Sequence, residues 1–244
     1  EISCSLVGSE MCIRDSLKDN AGNLWIAIYQ KGVMMIPAQP NSFKYIGYKS
    51  INKNIIGSNC ITSLCRDHKG ILWIGTDNDG IYGITTELKQ KVHYAPHDSP
   101  SSVPSTVFGL YEDSEHNLWF GSYTNGLGRL DKKTGQCSYL QNLTDKNGNR
   151  IQRVYDLVED QDKRLWIATM GAGLFYYDLK TGQSVYDPKF NAATKKYKWI
   201  SCLLYAGDNH LYVGTYDGIR CIDLSTDDFK TEEILSLSLI HISE

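Results

Sequence analysis

The sequence lacks the features that mark several common classes of protein. No long apolar stripe recurs every three or four residues, which excludes an array of paired helices. Basic and acidic residues are interspersed and the formal net charge is only −3, so no polybasic surface indicates a nucleic-acid partner. None of the seven cysteines stands in a CxxC pair that would indicate a metal or redox site.

Motifs for catalysis are also missing. The sequence has no Gly-x-Ser-x-Gly elbow, and its histidines fall at different offsets in turns and outer strand segments. Asp77-Asn78-Asp79-Gly80 resembles the start of a calcium loop, but Leu88 stands where such a loop needs its distal Glu. We therefore expect no catalytic residue, no metal and no cofactor, and we interpret residues 77–80 as a turn.

What the sequence has is one unit in five copies. The copies begin at Asp19, Asp67, Asp113, Asp160 and Ala206, and their central aromatics are Trp25, Trp73, Trp119, Trp166 and Tyr212. These aromatics are separated by 48, 46, 47 and 46 residues. A period in the forties, with short apolar runs and turn residues at fixed offsets, is typical of the four-stranded blade of a β-propeller. We predict an all-β fold.

The central run of each copy predicts a strand that is buried on both faces. In Ile71–Gly75 nearly every residue is apolar, and Trp73 shares its face with a small residue two positions on. The corresponding small residues are Ala27, Gly75, Gly121, Ala168 and Gly214. A large ring beside a small neighbour suits two sheets packed face to face, and burying each aromatic is worth about 2–3 kcal/mol.

Turns and further strands surround this run. An Asp-x-x-Gly turn precedes it, and we expect strained backbone where His116, Lys163 and Asn209 replace the Gly. After the run, Gly32, Gly80, Gly126, Gly173 and Gly218 restart the chain into a third strand (Ile81–Ile84, Leu127–Leu130, Leu174–Tyr177), and a fourth ends near Tyr45, Tyr94, Tyr139 and Tyr186. The first strand carries apolar anchors three residues apart: Ile61 and Leu64, Val107 and Leu110, Val154 and Leu157, Ile200 and Leu203.

The two ends of the sequence do not follow the repeat. Residues 1–16 and 237–244 resemble translated sequencing-adapter sequence, and we expect both to be non-native. If Met11–Ser16 is encoded as ATG-TGT-ATA-AGA-GAC-AGN, the reverse complement of that DNA encodes Leu-Ser-Leu-Ile-His, the sequence found near the other end. Between them we predict a partial blade over 17–60, blades over 61–106, 107–153 and 154–199, and a partial blade over 200–236. These about four and a half blades are expected to be a fragment of a larger, seven-bladed ring.

Five cysteines lie outside those ends, namely Cys60, Cys65, Cys137, Cys202 and Cys221. Most of them fall on or beside predicted strands. We interpret them as buried free thiols.

A candidate binding face follows from the blade geometry. In a propeller, the loop between the second and third strands and the loop that leads into the first strand lie on one face. These loops vary among the copies, and they supply the candidate ligand-binding residues Tyr29, Asp77, Asp79, Tyr123, Asn125, Arg153, Lys198, Trp199, Tyr216 and Asp217. Aromatic rings flanked by carboxylates and amides suit a sugar, whose C–H face stacks while its hydroxyls need polar partners.

Two simpler interpretations of the same residues stay open. The aromatics can cap the contacts between blades, with no ligand. Arg153 and Lys198 can meet an acidic glycan, or they can be solvated loop charges.

The repeat itself resembles a known family. Asp67-x-x-Gly70-x-Leu72-Trp73-Ile74-Gly75-Thr76, followed by Gly80-Ile81, resembles the two-component regulator propeller repeat, which is found in sensor regions of hybrid histidine kinases of gut Bacteroidetes. The copy that begins at Ala206 departs most, because Tyr212 replaces the Trp and the connection to Gly218 is one residue shorter.

The resemblance implies a function that the residues alone do not. It implies a periplasmic, non-catalytic propeller that senses an oligosaccharide. The implied partners are further blades and a kinase module of the parent protein, and a second copy of the chain in a homodimer. Two alternatives remain from other classes: a propeller enzyme of the polysaccharide or antibiotic lyase kind, and a protein-interaction scaffold.

Overall fold

The computed structural model describes residues 13–28, 32–39, 56–58, 60–85, 91–145, 147–186, 199–216, 218–225 and 230–236. Nineteen β-strands in these ranges form one three-stranded and four four-stranded antiparallel sheets. The described residues contain no helix, and hence none able to span a membrane. The predicted all-β fold and the four-stranded meander of a propeller blade are confirmed, and the chain is a fragment of a β-propeller.

The chain divides into two compact units, Glu1–Ile46 and Gly47–Glu244. The first unit holds the three-stranded sheet, with β1 at Ile13–Lys18, β2 at Leu24–Ile28 and β3 at Gly32–Ile36. β1 pairs with β2 and includes residues 13–16, which the sequence interpretation left outside the blade. The origin of residues 1–16 stays a prediction, and Tyr45 lies outside the described residues.

The second unit holds four consecutive four-stranded sheets, which we call sheets 2 to 5. Sheet 2 contains β4 (Ile61–Arg66), β5 (Ile71–Thr76), β6 (Ile81–Thr85) and β7 (Lys91–Tyr94), and sheet 3 contains β8 (Val107–Glu112), β9 (Leu118–Ser122), β10 (Leu127–Leu130) and β11 (Cys137–Tyr139). Sheet 4 contains β12 (Val154–Glu159), β13 (Arg164–Thr169), β14 (Leu174–Asp178) and β15 (Gln183–Tyr186). Sheet 5 contains β16 (Ile200–Tyr205), β17 (His210–Thr215), β18 (Gly218–Asp223) and β19 (Lys230–Ser236).

A bulge explains why the apolar anchors of each first strand stand three residues apart. The register of β8 against β9 shifts between Val107 and Gly109, and β4, β12 and β16 shift at the same position. The extra residue brings the third position after Val107 back to the same side of the strand. Val107 and Leu110 are accordingly 0% and 7% exposed.

The central aromatic of one sheet packs on the first strand of the next. Trp73 shares a core cluster with Val107 and Leu110, and Trp119 shares one with Val154. The small residue beside each ring allows this contact, because a Cβ added at Gly75 would lie 3.0 Å from Val107 Cγ1. The predicted packing of a buried ring beside a small neighbour is therefore confirmed for Trp73, Trp119 and Trp166, whereas Trp25 is 39% exposed, which corrects the prediction for the first copy.

The four tryptophans at the repeat position are each also bonded to the aspartate of their own turn. The indole Nε1–H of Trp73 donates to Asp67 Oδ2 at 3.0 Å, while Asp67 Oδ1 accepts the backbone N–H groups of Lys69 and Ile71. The same indole bond joins Trp25 to Asp19, Trp119 to Asp113 and Trp166 to Asp160 at 2.9, 2.7 and 2.7 Å. In sheet 5 Ala206 and Tyr212 replace both partners, so neither group is left buried and unpaired.

The expected backbone strain is present in three turns. His116, Lys163 and Asn209 have φ angles of 67°, 69° and 62°, where Gly70 has 81°. This left-handed region is unfavourable for residues that carry a Cβ.

Glutamate side chains join neighbouring sheets at the end that carries the Asp-x-x-Gly turns, which we call the turn end. We call each such contact a glutamate clasp. Glu112, the last residue of β8, accepts the backbone N–H of His68 in the turn of sheet 2 at 2.6 Å. Glu159, at the same place in β12, accepts the backbone N–H of Ser114 in the turn of sheet 3 at 2.6 Å. Adjacent blades are thus fixed by charged hydrogen bonds as well as by apolar packing.

The expectation of buried thiols holds only in part. All five cysteines are free, and Cys137 and Cys221 are buried, with burial raising the pKa of Cys137 to about 12. Cys65 is half-buried, whereas Cys60 and Cys202 are exposed, which corrects the prediction for these two. Both lie at the inner edge of their sheets, Cys60 just before β4 and Cys202 at the bulge of β16.

Replacing Trp119 by Ala should lower the free energy of unfolding by about 3–5 kcal/mol, because the cavity between sheets 3 and 4 cannot close completely. Chemical denaturation of the two proteins measures this difference. A loss below about 1 kcal/mol would contradict the packing described for this ring.

The indole bond has its own test in a double-mutant cycle of Asp113→Ala and Trp119→Phe. Asp113→Ala alone should lower the free energy of unfolding by about 1–3 kcal/mol, since it leaves a buried N–H without a partner. The loss should be smaller in the Trp119→Phe background. Asp131→Ala is the matched control, because Asp131 caps the backbone of Lys133 and Thr134 without an indole partner. An equal loss of unfolding free energy in Asp113→Ala and Asp131→Ala would argue against the indole bond.

Candidate functional site

The loop end of sheets 2 to 5 brings the two variable loops together, as the blade geometry predicts. The N–H of Asp77, directly after β5, donates to the carbonyl of Cys60, directly before β4, at 3.0 Å. Met170 N–H donates in the same way to the carbonyl of Arg153 at 2.9 Å. The loop between the second and third strands therefore lies against the residue that leads into the first strand.

Further backbone contacts run from one sheet to the next along this end. The N–H of Arg153 donates to the carbonyl of Tyr123 at 3.2 Å, and Met170 forms an antiparallel bridge with Trp199. Tyr123, Arg153, Met170 and Trp199 thus follow one another across sheets 3 to 5. We call this surface the loop face.

A repeated hydroxyl bond holds the base of each loop. Thr76, Ser122, Thr169 and Thr215, each at the end of a second strand, donate from the side-chain hydroxyl to the carbonyl of Gly80, Gly126, Gly173 and Gly218 at 2.8, 3.1, 2.6 and 2.9 Å. These hydroxyl-bearing residues are all buried. In each sheet, the loop residues between the hydroxyl-bearing residue and the glycine are therefore anchored at both ends.

Three aromatic rings and one guanidinium form a cluster on the loop face, which we call the aromatic patch. Phe108 stacks on Tyr155 with 4.3 Å between ring centroids, and Tyr123 meets Phe108 edge-on at 5.9 Å. The guanidinium carbon of Arg153 lies 5.2 Å from the centroid of Tyr123. Tyr123 is 42% exposed, so part of this patch faces solvent.

Sequence reasoning missed two members of the patch, Phe108 and Tyr155. Each is the second residue of its first strand, β8 or β12, where sheets 2 and 5 carry Thr62 and Ser201. An aromatic at this position in two successive copies is the only sequence signal, and it has meaning only once adjacent first strands are known to lie side by side.

The patch has an excess of positive charge. Among the described residues no carboxylate pairs with the Arg153 guanidinium, whose neighbour is a ring. Its backbone φ is 55°, an unfavourable angle for Arg that is fixed by the bonds of Arg153 to Tyr123 and Met170. The arrangement offers apolar faces for stacking and a hydrogen-bond donor beside them.

Two predicted carboxylates, Asp77 and Asp79, are engaged in internal hydrogen bonds. Asp79 accepts the hydroxyl of Tyr82 and lies 3.3 Å from His93 Nε2, on the outer side of sheet 2. Burial and the Asp79 carboxylate raise the pKa of Tyr82 to about 12. Asp77 stays on the loop face, but its Oδ1 accepts the hydroxyl of Thr106 at 2.7 Å.

The other candidates are dispersed. The backbone N–H of Asn125 donates to Ser122 Oγ at 2.9 Å and its carbonyl accepts Arg150 Nη2 at 3.1 Å, so it supports the loop. Trp199 and Tyr216 are 55% and 82% exposed at sheet 5. Tyr29, Lys198 and Asp217 lie outside the described residues. The structure thus brings Tyr123 and Arg153 into contact.

A cleft of about 780 Å³ opens at the opposite, turn end between sheets 2 and 3, away from the aromatic patch. It is lined among others by Trp73, Asp67, His116 and Arg129. Asp67 already holds the indole and turn N–H groups, and Arg129 lies over the ring of Trp119 at 5.9 Å. Asp67 and Arg129 are thus both engaged in internal contacts, whereas the Tyr123 ring on the loop face is exposed to solvent.

Comparison with known proteins supports the repeat. The sequence profile described as Two component regulator propeller matches residues 55–78, 101–124 and 148–171. These segments cover the first two strands of sheets 2, 3 and 4, while the copies at Asp19 and Ala206 lie outside them. No curated protein sequence matches the chain at a significant level.

Solved structures with a similar fold include extracellular domains of two-component systems and an enzyme. The extracellular domain of the hybrid two component system BT4673 from B. thetaiotaomicron has a TM-score of 0.63 at 22% identity, over 91% of this chain and 30% of that one. That of BT3049 from the same organism has a TM-score of 0.54 at 20% identity, over 91% and 34%. A gluconolactonase from Xanthomonas campestris has a TM-score of 0.55 at 12% identity, over 71% and 62%. The chain spans about a third of the length of the two-component relatives.

The structural role of Asp79 can be checked through Tyr82. Tyr82→Phe should lower the free energy of unfolding by about 1–3 kcal/mol, because the buried hydroxyl donates to Asp79 and accepts the N–H of Gly57. Tyr123→Phe is the matched control, since Tyr123 is exposed and should change stability little. If denaturation showed equally small losses of unfolding free energy for Tyr82→Phe and Tyr123→Phe, Asp79 would have no structural role and would again be a candidate for ligand binding.

Proposed function

Because three segments of the chain match the Two component regulator propeller profile, we propose that it is part of the periplasmic sensor region of a hybrid two-component system and that its loop face binds an oligosaccharide. The aromatic patch is the observation that carries the ligand class. The relatives named above are extracellular domains of such systems, which supports the location and the sensory role.

A sugar fits the patch for physical reasons. The C–H face of a pyranose stacks on an aromatic ring, and Tyr123 presents a partly exposed ring held edge-on against Phe108. Arg153 beside that ring has donors for hydroxyl or carboxylate groups of the sugar. Trp199 and Tyr216 extend the exposed aromatic surface towards sheet 5, so the site suits an extended oligosaccharide better than a monosaccharide.

Sensing requires more than binding. The ligand must bind one arrangement of the complete sensor more tightly than another, because a ligand with equal affinity for both shifts nothing. The further blades and the kinase module needed for this response belong to the parent protein in this proposal, and a homodimer would supply the second arrangement.

Calorimetry with neutral and uronic-acid oligosaccharides tests the ligand class. For an oligosaccharide that binds, Tyr123→Ala should weaken affinity at least tenfold, about 1.4 kcal/mol, while the free energy of unfolding stays within about 1 kcal/mol. Tyr123→Phe is the control that keeps the ring and should keep the affinity. Arg153→Gln should weaken acidic ligands more than neutral ones.

The outcomes separate the competing functions. Binding unchanged by Tyr123→Ala, or unfolding of that variant with unchanged affinity, would remove the patch from the site. Mass spectrometry of the same mixtures after incubation detects shorter or unsaturated products. Formation of such products by the purified chain would favour an enzyme of the lyase kind over a sensor.

A further inference from the structure

Two histidines and a glutamate meet at the turn end, between sheets 2 and 3. His68 and His116 stack with 3.7 Å between ring centroids, and His68 Nδ1 lies 2.8 Å from Glu112 Oε1. One ligand atom from each of the three residues lies within 4.8 Å of the other two. The two histidines are 48 positions apart in the sequence, so only the packing of successive sheets brings them together.

The carboxylate is held in place before any ligand arrives. Glu112 Oε2 accepts the backbone N–H of His68 at 2.6 Å, and the Glu112 side chain is only 9% exposed. The His68 side chain is 33% exposed, so solvent reaches the cluster. A fixed, nearly buried carboxylate oxygen next to accessible imidazole rings is a suitable preformed ligand for a metal ion.

The glutamate clasp does not itself need the histidines. At the next junction Glu159 accepts the backbone N–H and hydroxyl of Ser114, at 2.6 and 2.5 Å. There Lys163 occupies the turn position that His116 occupies in sheet 3, with a closely similar φ. The histidine pair is therefore an addition to a clasp that also forms without it.

The side chain of Lys132 neutralises the Glu112 carboxylate. Lys132 Nζ lies 2.6 Å from Glu112 Oε1 and 3.7 Å from Asp67 Oδ2. The site already accommodates one positive charge, and Asp67 is a second carboxylate to which Lys132 can turn when another cation binds Glu112.

We propose that His68, Glu112 and His116 bind a divalent transition-metal ion, zinc above all, that links sheet 2 to sheet 3. Two imidazole nitrogens and one carboxylate oxygen form a donor set that suits zinc and disfavours magnesium and calcium, which prefer oxygen alone. Water completes the tetrahedral coordination. The ion stabilises the junction, and this role is independent of the loop face at the other end of the sheets.

Thermal unfolding of the whole metal-free chain with zinc chloride, and with magnesium chloride for comparison, tests the site. Zinc at about 100 times its Kd should raise Tm by about 5 °C or more, with one ion bound per chain in calorimetry. Magnesium should leave Tm unchanged.

His116→Gly is the informative variant, because glycine is the unstrained residue for this turn. It should keep or raise Tm without zinc and abolish the increase with zinc. Lys163→Gly is the matched control: it makes the same backbone change in the next turn and should keep the full zinc response. His68→Ala should abolish the response as well.

Several results would overturn the proposal. These are the lack of saturable zinc binding, and a full response in His116→Gly or His68→Ala. A response lost in His93→Ala but kept in His116→Gly would place the ion beside Asp79 instead.

Discussion

The bond between the turn aspartate and the tryptophan indole underlies the rest of the structure. One carboxylate caps the turn with Oδ1 and fixes the ring with Oδ2, as Asp67 does for Trp73. The oriented ring then lies beside Gly75, where the first strand of the next sheet approaches closely. Local turn chemistry therefore contributes to the spacing between sheets, and in sheet 5 Ala206 and Tyr212 replace both partners of the bond together.

Most of the fold could be predicted because its determinants lie within one copy. Short apolar runs and turn residues at fixed offsets predicted the strands, and the left-handed φ of His116 followed from its place in an Asp-x-x-Gly turn. The indole bond was missed although it also lies within one copy, because the turn alone accounted for the aspartate. The exposure of Cys60 and Cys202 was missed because a strand position does not tell whether a neighbouring sheet covers it.

The candidate site was less accessible to sequence reasoning, since it depends on contacts between copies. Loop variability led to Tyr123 and Arg153, which do meet, although their role in binding stays a prediction. The stack of Phe108 on Tyr155 joins residues 47 positions apart, and the His68 and His116 stack joins residues 48 apart. Each pair needs the offset between sheets, which no single copy encodes.

The two ends of the sheets are under different physical constraints. At the turn end, Glu112 and Glu159 join neighbours through backbone N–H groups, so the junction depends on the carboxylate more than on the residue that it meets. At the loop end, buried hydroxyls such as Ser122 Oγ fix the base of the loop and leave the next residue free to vary. Asp77, Tyr123, Met170 and Tyr216 occupy that position in four successive sheets. Because the base of the loop does not depend on their identity, these residues can be exchanged without loss of the fold, which is the freedom that the proposed binding of a ligand at this end would require.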